Sequence, residues 1–202
     1  QQTSLSADLS TIESDFTTTK TDQRLVVNGL LGFGYEWGDN AVRWTNLYIH
    51  DTIKQARIGL GQRPSQSGNV DFLRQRTGFY ERQLFDTQMV GEFSITDALS
   101  LDMRGSYARS KRDAPSELSF EYVRTNAAAD PFGDQFVNRL NNGNGGDGGI
   151  TFSDLDEELW AGGADLSYEV TPEIVVTVGG AYSDTHREVT RRDFLFLAPN
   201  QF

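Results

Sequence analysis

GFYERQLFDTQMVGEFSITDALSLDMRGSYARS, residues 78–110, is written with a period of two. Phe85, Thr87, Met89, Gly91, Phe93 and Ile95 share one side of an extended run, and Asp86, Gln88, Glu92 and Ser94 the other. After Thr96-Asp97-Ala98 the alternation resumes, with Leu99, Leu101, Met103, Gly105 and Tyr107 set against Ser100, Asp102, Arg104 and Ser106. Successive strand residues point to opposite faces, so two such runs around a short polar joint predict an antiparallel hairpin. Each arm holds about ten residues, long for a globular strand and the length a tilted strand needs to cross hydrocarbon.

The same pattern recurs on both sides. Leu25, Val27, Gly29, Leu31, Phe33, Tyr35 and Trp37 alternate with Val26, Asn28, Leu30, Gly32, Gly34 and Glu36, then Gly38-Asp39-Asn40 supplies turn chemistry. The return run sets Val42, Trp44, Asn46, Tyr48 and His50 against Ala41, Arg43, Thr45, Leu47 and Ile49, with its faces less cleanly separated. A third hairpin runs from Trp160 through Thr171-Pro172-Glu173 to Tyr182. Strands are therefore expected near 24–37, 41–51, 79–95, 99–110, 159–170 and 174–184. Residues 1–22 are expected as a lead-in, 23–184 as the β-barrel segment, and 185–202 as a loop or the start of a further strand.

Between the hairpins, 52–78 (with Gly59, Gly61, Pro64 and Gly68) and 111–157 (with Pro115, Pro131 and the run Asn141 to Gly149) predict long polar connections. Joints that alternate short and long fit a membrane barrel, whose short turns face the periplasm and whose long loops face outside. The expected fold is all-β: an antiparallel meander of about six long strands, part of a transmembrane β-barrel.

The net charge of -11 opposes extended nucleic-acid binding. Without Cys there is no disulfide or thiolate site. No apolar run approaches eighteen residues, which excludes a transmembrane helix and leaves a barrel open. The start, QQTSLSADLS, lacks a basic segment followed by an apolar one, so a mature or excised chain is expected. Catalysis has no G-x-S-x-G, H-E-x-x-H or P-loop behind it, and the glycines Gly29, Gly32 and Gly34 have the wrong spacing for a dinucleotide fingerprint. The chain is expected to be no enzyme, with no catalytic, cofactor or metal residue. Asp147, Asp154, Asp156, Glu157 and Glu158 could offer calcium oxygens but read first as a solvated acidic loop. His50 and His186 lack ligand spacing. Arg74, Arg76 and Arg82 before the central hairpin, and Arg109, Lys111 and Arg112 after it, should share a rim, where they would meet anionic headgroups or steer an anionic ligand.

Tyr80-Glu81-Arg82-Gln83-Leu84-Phe85 and Ser106-Tyr107-Ala108-Arg109-Ser110-Lys111-Arg112-Asp113-Ala114-Pro115, with Asp165-Leu166-Ser167-Tyr168, Gly179-Gly180-Ala181-Tyr182 and Arg191-Arg192-Asp193-Phe194, resemble the barrel domain of TonB-dependent outer-membrane receptors. The resemblance spans about residues 24–196. It implies a large barrel occluded by a plug, a place in the cell outer membrane, and import of a small ligand with energy delivered through TonB. Six strands and no segment resembling a plug lead to the expectation of an internal piece of such a barrel. Its partners would be outer-membrane lipid, a small ligand, TonB and the plug through the full-length protein, and other copies of the piece, with no nucleic acid. Phe33, Tyr35, Trp37, Trp44 and Tyr48 are expected in one aromatic belt. Phe85, Met89, Phe93, Leu101, Met103, Leu166, Val176 and Val178 should face lipid, and Gln88, Glu92, Asp102, Arg104, Asp165 and Thr177 the interior. The alternative is a soluble or surface β-sheet protein that binds a ligand with its long loops.

Overall fold

The computed structural model describes residues 2–5, 12–64, 69–140 and 146–198. They form one seven-stranded antiparallel sheet: β1 (Gln2–Leu5), β2 (Ile12–Trp37), β3 (Asn40–Gln62), β4 (Asp71–Thr96), β5 (Leu99–Arg124), β6 (Gly148–Thr171) and β7 (Ile174–Leu195). Each strand pairs only with its neighbours in sequence, and the sheet stays open between its first and last strands. The expected meander is therefore present, as an open arc of the kind that forms part of a barrel.

The strands are much longer than the alternation alone foretold. Residues 12–22, expected within the lead-in, belong to β2. Residues 52–62 and 71–78 extend β3 and β4, and 111–124 and 148–157 extend β5 and β6. Residues 185–195 continue β7. Where both faces are wet no apolar side need exist, so the period disappears from the sequence while backbone pairing persists. Cross-strand polar pairs such as Arg74 with Glu121 line these extensions. The long connections shrink to 63–70 and 125–147. Gly68, the run Asn141 to Gly145 and the end at Phe202 lie outside the described residues. Between Phe132 and Leu140, within the long polar connection, the chain makes turns and a single bridge from Val123 to Val137.

Three two-residue turns close the other end: Gly38-Asp39, Asp97-Ala98 and Pro172-Glu173. Gly38 takes a φ of 55°, which a side chain resists. Pro172 presets its own φ. Pro115 sits inside β5, a central strand, where its missing N–H would break a ladder. Four residues of β5, Asp113 to Ser116, face three of β4, Phe79 to Glu81, and the four from Ala114 to Glu117 face the three from Thr151 to Ser153 of β6 in the same way. The proline thus occupies a bulge shared by both flanking ladders.

The turns also set the slope of the strands. One row of paired residues runs Glu36, Ala41, Glu92, Asp102, Asp165 and Gly179. Along the chain this row lies two residues from Gly38, five from Asp97 and seven from Pro172. With the turns at one level, an offset of about five residues across four strands is about 16 Å along against about 19 Å across. The strands therefore tilt by about 40°, the slope of a membrane barrel.

Candidate functional site

Pairing puts directly opposed residues on one face, and it resolves the sheet into two unlike surfaces. One carries Leu25, Val27, Leu31, Phe33, Tyr35 and Trp37 of β2 and Val42, Trp44 and Tyr48 of β3. It continues through Phe85, Met89 and Phe93, then Leu101, Met103 and Tyr107, then Trp160 and Leu166, then Val176, Val178 and Tyr182. Leu25, Tyr35, Val178 and Tyr182 are each more than 60% exposed, so this face is not the core of the described sheet.

Its aromatic residues gather mainly at two heights. Near the turns, Trp37 stacks on Tyr35 at 5.2 Å and touches Phe93 at 6.2 Å, while Phe33, stacked on Trp44 at 5.8 Å, stands five residues from the turn and inside the band. Farther up, Tyr48, Tyr107 and Tyr182 each stand nine residues beyond Asp39, Ala98 and Glu173, while Phe85 and Trp160 each stand twelve before Asp97 and Pro172. Tyr107 bridges that upper row, 4.5 Å from Trp160 and 6.5 Å from Phe85. The single belt expected from Phe33 to Tyr48 is thus two belts, and Tyr48 belongs to the upper one. From Phe85 to Ile95, as from Trp160 to Val170, ten residues give about 33 Å of strand and about 25 Å of height at the tilt above, the height of a barrel's apolar band. Within the band the Trp44 indole donates to Thr87 Oγ1 at 2.8 Å.

Immediately above the upper belt this face turns charged. Arg109 forks onto Asp156 at 2.6 and 3.0 Å, and Lys111 lies 3.4 Å from the same carboxylate. His50 stands 3.7 Å from Glu81. His50 on β3 and His186 on β7 have three strands between them, and no group of acidic or His residues with metal-ligating geometry occurs among the described residues. Asp154, Asp156, Glu157 and Glu158 are strand residues of β6, not a loop. Asp156 and Glu158 face Arg109, and Glu157 on the other side binds Arg187.

The opposite face is mainly polar, with Gln88, Glu92, Asp102, Ser106, Ser183 and the Arg104–Asp165 pair at 2.5 Å. Gln88, Arg104, Ser106, Ala161, Ala181 and Ser183 line a shallow groove across β4 to β7. Val26, Leu30, Leu47, Ile49 and Leu84 make an apolar island on the same face, and Leu30 is 73% exposed. Higher up, Asp51, only 6% exposed, is held by both arms of Arg24 at 2.8 and 2.9 Å. The two basic groups flanking the central hairpin divide by height and by face: Arg82 and Arg112 oppose each other close to the level of Arg109 and Lys111, whereas Arg74 and Arg76 stand well above, opposite Glu121 and Ser119. Arg74, Arg76, Arg82 and Arg112 lie on the polar side, and Arg109 and Lys111 on the apolar side.

At the far end of the polar face Phe16, Phe72 and Val123 form a small buried cluster with Val70 against it. Arg74 lies over the Phe16 ring at 4.1 Å and Arg63 over Phe72 at 4.2 Å, and Glu121 accepts from both at 2.8 and 2.5 Å. Gly61 allows Phe16 to close down, since a Cβ there would collide with the Asp15 carbonyl and the ring.

The 125–140 segment is tied down by two carboxylates. Burial opposes the charge of Asp71, but hydrogen bonds from Asn126, Gln62 and Arg124 outweigh it and hold its carboxyl below the usual range. Asp130 is also held low, first by the Phe132 N–H, then by Thr125 and Arg139. Lowered folded-state values stabilise the segment above the ordinary carboxylate pKa of 3.8, and that contribution disappears as pH falls through them. Hydrogen exchange in 125–140, corrected for intrinsic rates, is therefore expected to accelerate below about pH 4 while the strands of the apolar band stay protected.

No family model and no curated protein matches this chain. Among solved structures it is similar to OccK10 (OpdN) of Pseudomonas aeruginosa, 10% identical over 92% of this chain and 99% of that one, with a TM-score of 0.15. It is also similar to the siderophore receptor PiuA of Acinetobacter baumannii, 11% identical over 93% of this chain and 47% of that one, TM-score 0.18. A mutant Rh. blastica porin aligns at 7% identity over 89% of this chain and all of that one, TM-score 0.11. These neighbours are outer-membrane β-barrel proteins. At such scores the superposition adds no weight, and the barrel character rests on the sheet's own slope, length and faces.

Proposed function

We propose that the chain is a wall segment of an outer-membrane receptor for TonB-energised ligand uptake, an internal piece of a larger barrel and neither a complete channel nor an enzyme. The observation behind this is the apolar band, about 25 Å high and edged by aromatic side chains on both borders, on a sheet tilted by about 40°. In that reading the band meets lipid, the tight turns face the periplasm, and the tall hairpins stand outside the cell. The apolar island of Val26, Leu30, Leu47, Ile49 and Leu84 on the inner side favours a plugged barrel over a water-filled one, because a plug would cover it. The sequence resemblance supplies the TonB dependence. A soluble ligand-binding sheet would leave the band of Leu25, Phe33, Trp44, Met89 and Val178 in water, an apolar area far larger than soluble surfaces carry.

Trp37, Trp44 and Trp160 provide the test, because all three lie on the apolar face. Refolded in vesicles with lipids brominated at stepped depths, single-Trp variants are expected to be quenched by depth. Trp37 and Trp160 should respond most to shallow bromines and Trp44 to deeper ones. Three indoles indifferent to bromine depth would remove the membrane reading.

A further inference from the structure

Lys20, Arg57 and Arg76 oppose one another on β2, β3 and β4, on the polar face. Like charges directly opposite across strands destabilise a sheet, so a row of three cations needs an answer. Lys20 has one in Asp22 at 2.6 Å. Among the described residues Arg57 and Arg76 have no ion-pair partner. Arg57 acts at range on Asp22, a carboxylate already held by Lys20, and on the Tyr80 hydroxyl, without an ion pair to either. In the next row Thr18 and Arg74 flank Gly59, which is buried and carries no side chain to fill the space. Phe16, Thr18, Arg57, Gly59, Arg74 and Arg76 line a partly open cavity of about 130 Å³. Arg74 is braced by Glu121 and flattened on Phe16, while Glu121 is shared with Arg63, so one carboxylate serves two guanidinium groups. In a chain of net charge -11, positive charge in excess at one spot is a local reversal.

We propose that this cavity binds an anion, the carboxylate or phosphate group of a solute. Arg57 and Arg76 would be its free forks, Arg74 its braced wall and Thr18 a hydroxyl donor. Side chains directly opposite have Cβ atoms about 5 Å apart, so two guanidinium groups can converge on one group of oxygens, whose geometry Arg matches in pairs. The inference rests on the wall reading for its location. Arg57 and Arg76 lie nine residues beyond Tyr48 and Phe85 on the inner face, about 23 Å higher at the same tilt. That places the cavity outside the hydrocarbon, on the path of an incoming ligand.

The test uses the full chain in zwitterionic detergent at low ionic strength, titrated calorimetrically with citrate and with inorganic phosphate. Saturable binding is expected, at least tenfold weaker for citrate in the Arg57→Gln/Arg76→Gln double variant and unchanged in Arg192→Gln, whose arginine lies on the other face. Without anion the double variant should unfold at the same temperature as the parent chain or higher, because repulsion is relieved. Citrate should raise only the parent chain's midpoint, which separates lost binding from lost folding. No saturable binding of either anion, or equal affinity in the double variant, overturns the proposal. If the double substitution instead weakens association with phosphatidylglycerol vesicles relative to phosphatidylcholine, the arginines meet headgroups and the inner location falls. The bromine-depth experiment reads the wall independently, so a wall that is quenched beside a cavity that binds nothing would sink this inference alone.

Discussion

Met89→Arg is expected to cost about 2 to 4 kcal/mol in lipid, and Gln88→Arg close to nothing. The two residues are adjacent in β4 and differ only in face. Met89 stands in the row Phe33, Trp44, Met89, Gly105, Gly162 and Tyr182, near the middle of the apolar band, and is 53% exposed in the open sheet. A guanidinium there has no partner within its row and must distort the bilayer or stretch to its border. Gln88 stands in the row Gly32, Thr45, Gln88, Ser106, Ala161 and Ser183, all small or polar, with room for a longer side chain and water beside it. Urea unfolding of both variants in vesicles gives the comparison. Equal losses would cancel the assignment of the faces.

The second large effect concerns the sheet's borders. The side of β2 away from β3 is paired only as far as Phe16, by β1, and β7 has no neighbour on its outer side among the described residues. Each backbone group left unpaired in hydrocarbon costs several kcal/mol. The chain by itself is therefore expected to associate through these borders, strand against strand, and to transport nothing. Light scattering behind size exclusion should report assemblies or detergent dependence, and vesicles containing only this chain should show no saturable uptake. A monodisperse monomer in plain buffer would contradict the first expectation, and saturable uptake the second.

How much of this was legible in the sequence depended on contrast between faces. The three hairpins and their turns could be read because one side of each strand is apolar. Phe85, Met89, Phe93, Leu101, Met103, Leu166, Val176 and Val178 do share one face, and Gln88, Glu92, Asp102, Arg104, Asp165 and Thr177 the other. The register of β3, blurred by Leu47 and Ile49, is settled by pairing with β2 and β4, which no single strand can reveal. The outer halves were illegible because Arg57, Arg74, Arg76 and Glu121 are charged and leave no apolar face to alternate with a polar one. Pro115 spoke against a strand, since a bulge that rescues it leaves no mark in sequence. Arg57 carries no signal in the sequence for the same reason, since the polar stretch around it predicts a connection. The run Thr17-Thr18-Thr19 and Thr21, rich in β-branched residues, was the available hint that β2 starts early.

The height of the hairpins has a bearing on how such a wall enters a bilayer. Residues 52–62 and 71–81 of the β3–β4 hairpin are charged or polar on much of both surfaces, and an insertion that begins from the periplasm must drag them across the hydrocarbon before the apolar band can settle. The barrier for that crossing grows with every Arg and Glu carried through, whereas the tight turns at the opposite end never have to cross. Once seated, the protein faces the same barrier in reverse. In the wall reading its orientation would then be fixed by kinetics, by a passage made once and too steep to undo.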